Sequence, residues 1–471
     1  MSDRRRPQQR FDRSIVDGPL SRAVWKLAWP AMLTNMIGGL QGIVDQAMVG
    51  HYVGHAGNAA IGVSMQLFLL VIVFVASVFT GMGVLVARFV GANEAEKVNR
   101  TVYQAFLTAV FMAVGVMAPV GYFAAPVLLD TINAAPEVQA EALSYIRIVF
   151  VFSIGMLIFF MMNGALRAAG DARTPLRLGA LMTALNIVLN VVLIRGLGPI
   201  PSFGTTGAAM GTAIASGLVA VVFLTLLFSD RLVIRFAGDM SWKPDWRVIR
   251  ELFRFGLPAG FQGIVMNVAG VLLLRFVGSL EHSAEAQAAY AVGYTELFAL
   301  ITWTSVGLMG ATAAVAGQNL GAGRPARSAR AAEVAAAIGL TCATVVGLLF
   351  IGIPRPLLAI FSLDEGVAFE LGQQLLSYLA VSGFFVTVAL TYTGGLQGTG
   401  DTRSPLYISM VSQVVVPIGW CTWFAAGRGL QPDDIWLAIV LGHMTRATLS
   451  VIRFRQGRWR EIAVDIGPST A

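Results

Sequence analysis

Five polar side chains stand out in a chain that is otherwise strongly apolar. They are Gln41 and Asp45 in Leu-Gln-Gly-Ile-Val-Asp-Gln-Ala-Met-Val, Asn186 and Asn190, and Thr212. A carboxyl group inside an apolar span costs about 2.5–3.5 kcal/mol on insertion scales unless it faces a partner or a cavity. Asp45 is therefore a candidate to take up and release an ion; the alternative is a wet carboxylate near a helix end. Gln41 lies one turn earlier on nearly the same face. Asn186 and Asn190 are four apart and share a face, where they either join an ion site or serve as packing amides between helices. Thr212 can join them or bond back to its own helix. Glu296 is a second acid in an apolar run. With Gln66, its counterpart in an internal repeat, and Asn267, it is a candidate for holding a cationic substrate. A structural pair with Arg275 is the alternative. His51 and His55 are also four apart, but no third ligand stands nearby, so neither a metal site nor a cofactor is expected.

The elements that carry these residues follow from composition. The chain has 471 residues, 56% hydrophobic and 13% charged, with a mean hydropathy of +0.71. Soluble domains carry roughly 25% charged residues, so this is an all-α, multi-pass membrane protein. The 51 glycines and long unbroken apolar runs fit packed helices rather than an alternating β-barrel. Twelve spans are predicted, at about 25–49, 59–87, 101–123, 140–168, 176–195, 206–229, 255–277, 287–316, 331–353, 369–396, 405–426 and 433–452. With the N-terminus inside, the inner loops hold sixteen Lys and Arg against three in the outer loops. That bias predicts both termini in the cytoplasm, in the plasma (inner) membrane. The first apolar segment is too long for a signal peptide and is read as retained. The net charge of +7 is explained by this sorting, and no nucleic-acid partner is expected. The basic start, Met1 to Arg13, is expected to be disordered. The two cysteines lie in apolar segments and offer no disulfide framework.

The chain also repeats itself. Gly170-Asp171-Ala172-Arg173-Thr174-Pro175 returns as Gly400-Asp401-Thr402-Arg403-Ser404-Pro405, 230 residues later. Each copy reads as a helix–turn–helix. The glycine takes a left-handed conformation, Thr or Ser is a suitable N-cap, and proline opens the next helix. The same offset pairs Gln66 with Glu296 and Gly91 with Gly321; an offset of 228 pairs Pro30 with Pro258. The expected organisation is a basic tail (1–22), a six-helix bundle (23–229), a basic linker (230–254), a second six-helix bundle (255–452) and a tail (453–471). An even helix count makes the repeats parallel, and transporters so built bind substrate near the midplane.

At these residues the chain resembles the multidrug and toxic compound extrusion (MATE) transporters, in particular the DinF-like bacterial and archaeal branch. The resemblance rests on Pro30 with Val44-Asp45, on the Gly207 to Ala213 pattern, and on the two Gly-Asp turns. It covers about 20–455. It implies a V-shaped pair of bundles, alternating access, and export of organic cations or other amphipaths driven by an inward ion gradient. Asp45 would be the coupling carboxylate and Pro30 the kinking proline. Pro30 read alone could equally start a helix. The branch carries Asn then Asp on the fifth helix, whereas this chain has Asn186 and Asn190. The acids of the sodium-coupled branch are absent at Met266-Asn267 and at Val386. Protons are therefore favoured over sodium.

Other functions fit less well. A lipid-linked oligosaccharide flippase of similar architecture would need a large cationic groove. A membrane-embedded enzyme would need an HExxH run, paired acids for magnesium or a P-loop, and the chain has none. The expected partners are a small organic cation or amphipath and the lipid bilayer, with the protein acting as a monomer.

Overall fold

The computed structural model describes residues 11–131, 135–236 and 243–467. In chain order the helices are α1 (Ser14–Asp17), α2 (Leu20–Tyr52), α3 (His55–Gly91), α4 (Ala95–Met112), α5 (Ala125–Thr131), α6 (Pro136–Val151), α7 (Ile154–Ala168), α8 (Arg173–Arg195) and α9 (Gly204–Phe228). There follow α10 (Trp246–Val277), α11 (Ser283–Tyr290), α12 (Ala299–Gly321), α13 (Pro325–Gly352), α14 (Pro354–Ala359), α15 (Gly366–Thr399), α16 (Arg403–Ser409), α17 (Val416–Ala426) and α18 (Pro432–Arg455). No strand occurs among the described residues.

Among the described residues ten helical stretches are long and apolar enough to cross a membrane, and α6 with α7 make an eleventh. The twelfth transit belongs to α2, whose 33 residues reach about 50 Å. The fourth predicted span is not straight. It breaks at Phe152–Ser153 and bends by 52°. Pro30 stands ten residues inside α2 and is buried, so it does not start the helix. The Thr34 hydroxyl donates to the Pro30 carbonyl at 2.7 Å. The segment read as a linker to 254 is helical from Trp246 onward, with Asp245 as its N-cap.

Both Gly-Asp turns form, with one correction. Gly170 and Gly400 have φ of +100° and +104°, the left-handed conformation that ends a helix. The helix caps come from the aspartates rather than from Thr174 or Ser404. Asp171 Oδ1 accepts from the Arg173 and Thr174 N–H groups, and its Oδ2 accepts from the Thr174 hydroxyl. Asp401 treats Ser404 the same way and also binds Arg453. The reason is register: α8 and α16 open at Arg173 and Arg403, so the hydroxyl residue and the proline already lie within the first turn.

The bundles meet at the face that carries both termini. α2 packs on α12 and α13 through Val24, Leu27, Leu308, Ala311 and Val315, with Ala331 and Ala335 from α13. α3 packs on α10, where a Cβ on Gly81 would come within 2.1 Å of the Leu252 carbonyl oxygen. Each end of the chain crosses to the opposite bundle. Ile15 is fully buried in a cluster that joins Val24 and Leu27 of α2 to Leu308, Ala311 and Val315 of α12. Arg324 Nη1 donates to the Val16 carbonyl at 2.8 Å, and Arg327 Nη2 to the Gly18 carbonyl at 2.7 Å. The expected N-terminal disorder therefore does not extend to residues 11–13: Phe11 is buried and Asp12 pairs with Lys26. At the other end Trp459 is 1% exposed and stacks on Phe454. The tail then reaches the first bundle, where Ile466 joins its core. Lys97 pairs with Asp465 at 3.2 Å, and Arg100 Nη1 donates to the Gly467 carbonyl at 3.1 Å.

Trp459 anchors that crossing. Trp459→Ala should lower the unfolding free energy by about 3–5 kcal/mol, the usual cost of deleting a buried Trp. It should also expose residues 456–467 to protease. A melting curve in detergent together with limited proteolysis checks both; an unchanged Tm would show that the tail contributes nothing.

Candidate functional site

The first-bundle polar residues are brought together. Asn190 and Asn186 are both 0% exposed on α8. Asn190 Nδ2 donates to Asp45 Oδ1 on α2 at 2.7 Å and to Asn186 Oδ1 at 3.3 Å. Asn186 Nδ2 donates to Thr212 Oγ1 on α9 at 3.1 Å, and Thr212 donates to its own helix at Ala208. Thr212 thus does both things expected of it, and the asparagines also tie helices together. Gln41 is held by a residue the sequence reading missed: the Thr183 hydroxyl on α8 donates to Gln41 Oε1 at 2.7 Å. Thr183 sits seven residues before Asn190, two turns along the same face, and that spacing was the signal.

Asp45 is half-buried and hydrogen-bonded, not a free carboxylate at a helix end. No cation pairs with it among the described residues. Asn190 Oδ1 is buried without a partner. Gly211 on α9 makes room for it, since a Cβ there would lie 2.1 Å from that oxygen.

The three second-group candidates are not brought into one site. Glu296 is half-buried and has no hydrogen bond or ion pair among the described residues, and Arg275 is exposed. The Glu296–Arg275 pair is therefore not formed. Glu296 lies in the π-helical run Ala291–Leu297, where its repeat mate α3 is regular. Glu296 instead lines a space of about 460 Å³ between the bundles at the face opposite the termini, with Gln46, Asn58 and Thr295. Gln66 is exposed on α3. Asn267 is exposed on α10 and donates to its own helix at Gly263. The His55 side chain lies outside the described residues, and no cluster of three metal-ligating side chains occurs among those described.

A second cavity, about 230 Å³, lies between the bundles nearer the termini. Its walls come from α3, α7, α12 and α15, and its polar groups are Thr80, Arg167 and Gln397. Sequence reading did not place Arg167 in a cavity, because it counted as one more basic residue near a helix end.

The family described as MatE matches residues 30–192 and 258–422, one segment in each bundle. The chain belongs to the MatE family. Its members are transporters, not enzymes. A Thermotoga maritima protein named probable multidrug resistance protein NorM is 28% identical over 442 residues, covering 93% of each chain. A Xanthomonas campestris protein of the same name is 28% identical, covering 92% of this chain and 94% of its own. Among solved structures, the outward-facing conformation of a multidrug resistance MATE family transporter of the MOP superfamily aligns with a TM-score of 0.86 at 21% identity. It covers 94% of this chain and 97% of that one. That likeness establishes the twelve-helix, two-bundle MatE fold. The two matched segments divide the MatE chain at the same point as its internal repeat.

Proposed function

We propose that this MatE chain is a secondary antiporter that exports amphipathic small molecules, organic cations among them, in exchange for protons. The names of its relatives support a multidrug role. The proposed setting is the inner membrane, with both termini cytoplasmic and the monomer as the working unit. The single observation that carries the coupling is the hydrogen-bonded chain from Asp45 to Thr212. A carboxyl held by one amide and paired with no cation can cycle between forms. As a carboxylate it accepts from Asn190 Nδ2 at 2.7 Å. Once protonated it becomes a donor, and a half-turn of the Asn190 amide presents the oxygen that now lacks a partner. Protonation thus turns Asn190 from donor to acceptor toward Asp45, at the cost of its bond to Asn186 Oδ1, and removes a charge from the wall of α2. Pro30 lies in the same helix and has no N–H for the ladder, so α2 can bend there.

The energy suffices. One proton moving inward gains about 2.3 kcal/mol per 100 mV, and each pH unit adds about 1.4 kcal/mol. Tenfold accumulation of an uncharged substrate costs about 1.4 kcal/mol.

The test is transport in vesicles with proton and sodium gradients imposed separately. Asp45→Asn should fold, reach the membrane and lose proton-driven efflux at least tenfold. Wild-type rates in the variant would remove Asp45 from the coupling role. Efflux by the unmutated protein that follows sodium and ignores pH would replace the ion.

A further inference from the structure

Arg167 ends α7 and reaches across the gap between the bundles. Its guanidinium lies against α12, where a Cβ on Gly310 would come within 2.8 Å of Nη1. Several other arginines of this face have partners. Arg88, Arg324 and Arg327 donate to backbone carbonyls, and Arg100 and Arg453 pair with Asp245 and Asp401. Arg167 makes no hydrogen bond or ion pair among the described residues, and no acid lines its cavity. The neighbouring polar groups are the Thr80 hydroxyl and the Gln397 amide. Gln397 is the repeat mate of Arg167, 230 residues on, so equivalent positions of the two bundles face one space with only one of them charged. Phe79, Phe160 and Met309 form an apolar wall beside them.

A guanidinium left with free donors in an acid-free cavity is arranged for an anion. Its planar fork matches a carboxylate in two parallel hydrogen bonds. We propose that this cavity is a subsite for the carboxylate of the exported molecule, with Arg167 as the ligand and the aromatic wall holding the adjoining apolar body. The substrates then include carboxylate-bearing and zwitterionic amphipaths, and a purely cationic compound gains nothing from this end of the path. The inference rests on the exporter reading for its setting, but binding alone can decide it.

The experiment uses the purified full chain in detergent, without a gradient. The probes are a rhodamine dye with a free carboxylate and the methyl ester of the same dye, titrated by fluorescence anisotropy. The acid should bind about tenfold or more tightly than the ester, as expected for a hydrogen-bonded charge pair. Arg167→Gln should bring the acid to the affinity of the ester and leave the ester unchanged. If that variant does not purify as a monodisperse species, Arg167→Lys decides. It keeps the charge, loses the fork, and should cost the acid about threefold to tenfold. Equal binding of the two dyes by the unmutated protein, binding of neither, or an acid preference undiminished by substitution of Arg167 would overturn the proposal. Loss of gradient-driven efflux with the acid preference intact would count against the exporter reading alone.

Discussion

Replacing Gly91 or Gly321 with alanine should hold the two bundles apart at the face that carries the termini and cut transport at least tenfold. These glycines are repeat mates at the ends of α3 and α12. A Cβ on Gly91 would lie 2.0 Å from the Gln318 carbonyl oxygen, and one on Gly321 would lie 2.0 Å from that of Arg88. The contact is reciprocal: each glycine faces the carbonyl three residues before the other. Backbone in a helix has no rotamer with which to step aside, so the whole contact must open. In an isolated helix the change Gly to Ala is favourable by about 1 kcal/mol. Overpacking costs about 1–3 kcal/mol in an ordinary core, and a rigid carbonyl at this distance belongs at the upper end. The net effect favours states in which this face is open. Because one separation relieves both clashes, the double variant should be little worse than either single one. Spin labels on the ends of α3 and α12 measure the separation. An unchanged distance distribution in both single variants would show that the contact does not control closure.

The second large effect is expected at Gly211. Alanine there collides with Asn190 Oδ1, which belongs to a short side chain able to turn away. Turning away removes the donor from Asp45 and from Asn186 together. Gly211→Ala should therefore retain the fold, lose about 1–3 kcal/mol of stability from the broken buried hydrogen bonds, and lose ion-driven transport about tenfold or more. Adding Asn190→Ala removes the collision. The double variant relieves the overlap but still lacks the donor to Asp45 and Asn186, so neither the stability carried by those bonds nor transport should return. Recovery of transport would show that Asn190 is only a packing amide.

Much of the architecture was legible because it rests on one-dimensional signals. Helix number follows from apolar runs and the sorting of Lys and Arg, and the repeat shows directly in the two Gly-Asp turns. Asp45, Asn186, Asn190 and Thr212 stood out because polar atoms in an apolar span need partners. What escaped depends on direction and register. Arg167 entered the reading as a charge near a helix end, and nothing in sequence says which way its side chain points. The π-helical run around Glu296 leaves no mark in the apolar pattern, and nothing in the spacing says that Arg275 lies on the exposed side of α10. The cap fell to Asp171 and Asp401 because the helix starts one residue before the hydroxyl residue, a shift below the precision of any pattern. The close approaches at Gly91 and Gly321 exist only between halves that are far apart in the chain.

The exchange of chain ends also sets an order of assembly. During synthesis the segment from Phe11 to Gly18 is made long before the arginines that hold its carbonyls, Arg324 and Arg327. The reverse holds at the far end: Lys97 and Arg100 wait for Asp465 and Gly467, which are made after both bundles. Neither bundle can finish its surface alone. The segment around Asp465 closes a joint on the first bundle only after the second has been made, so a chain cut before it carries an open seam where proteases can enter.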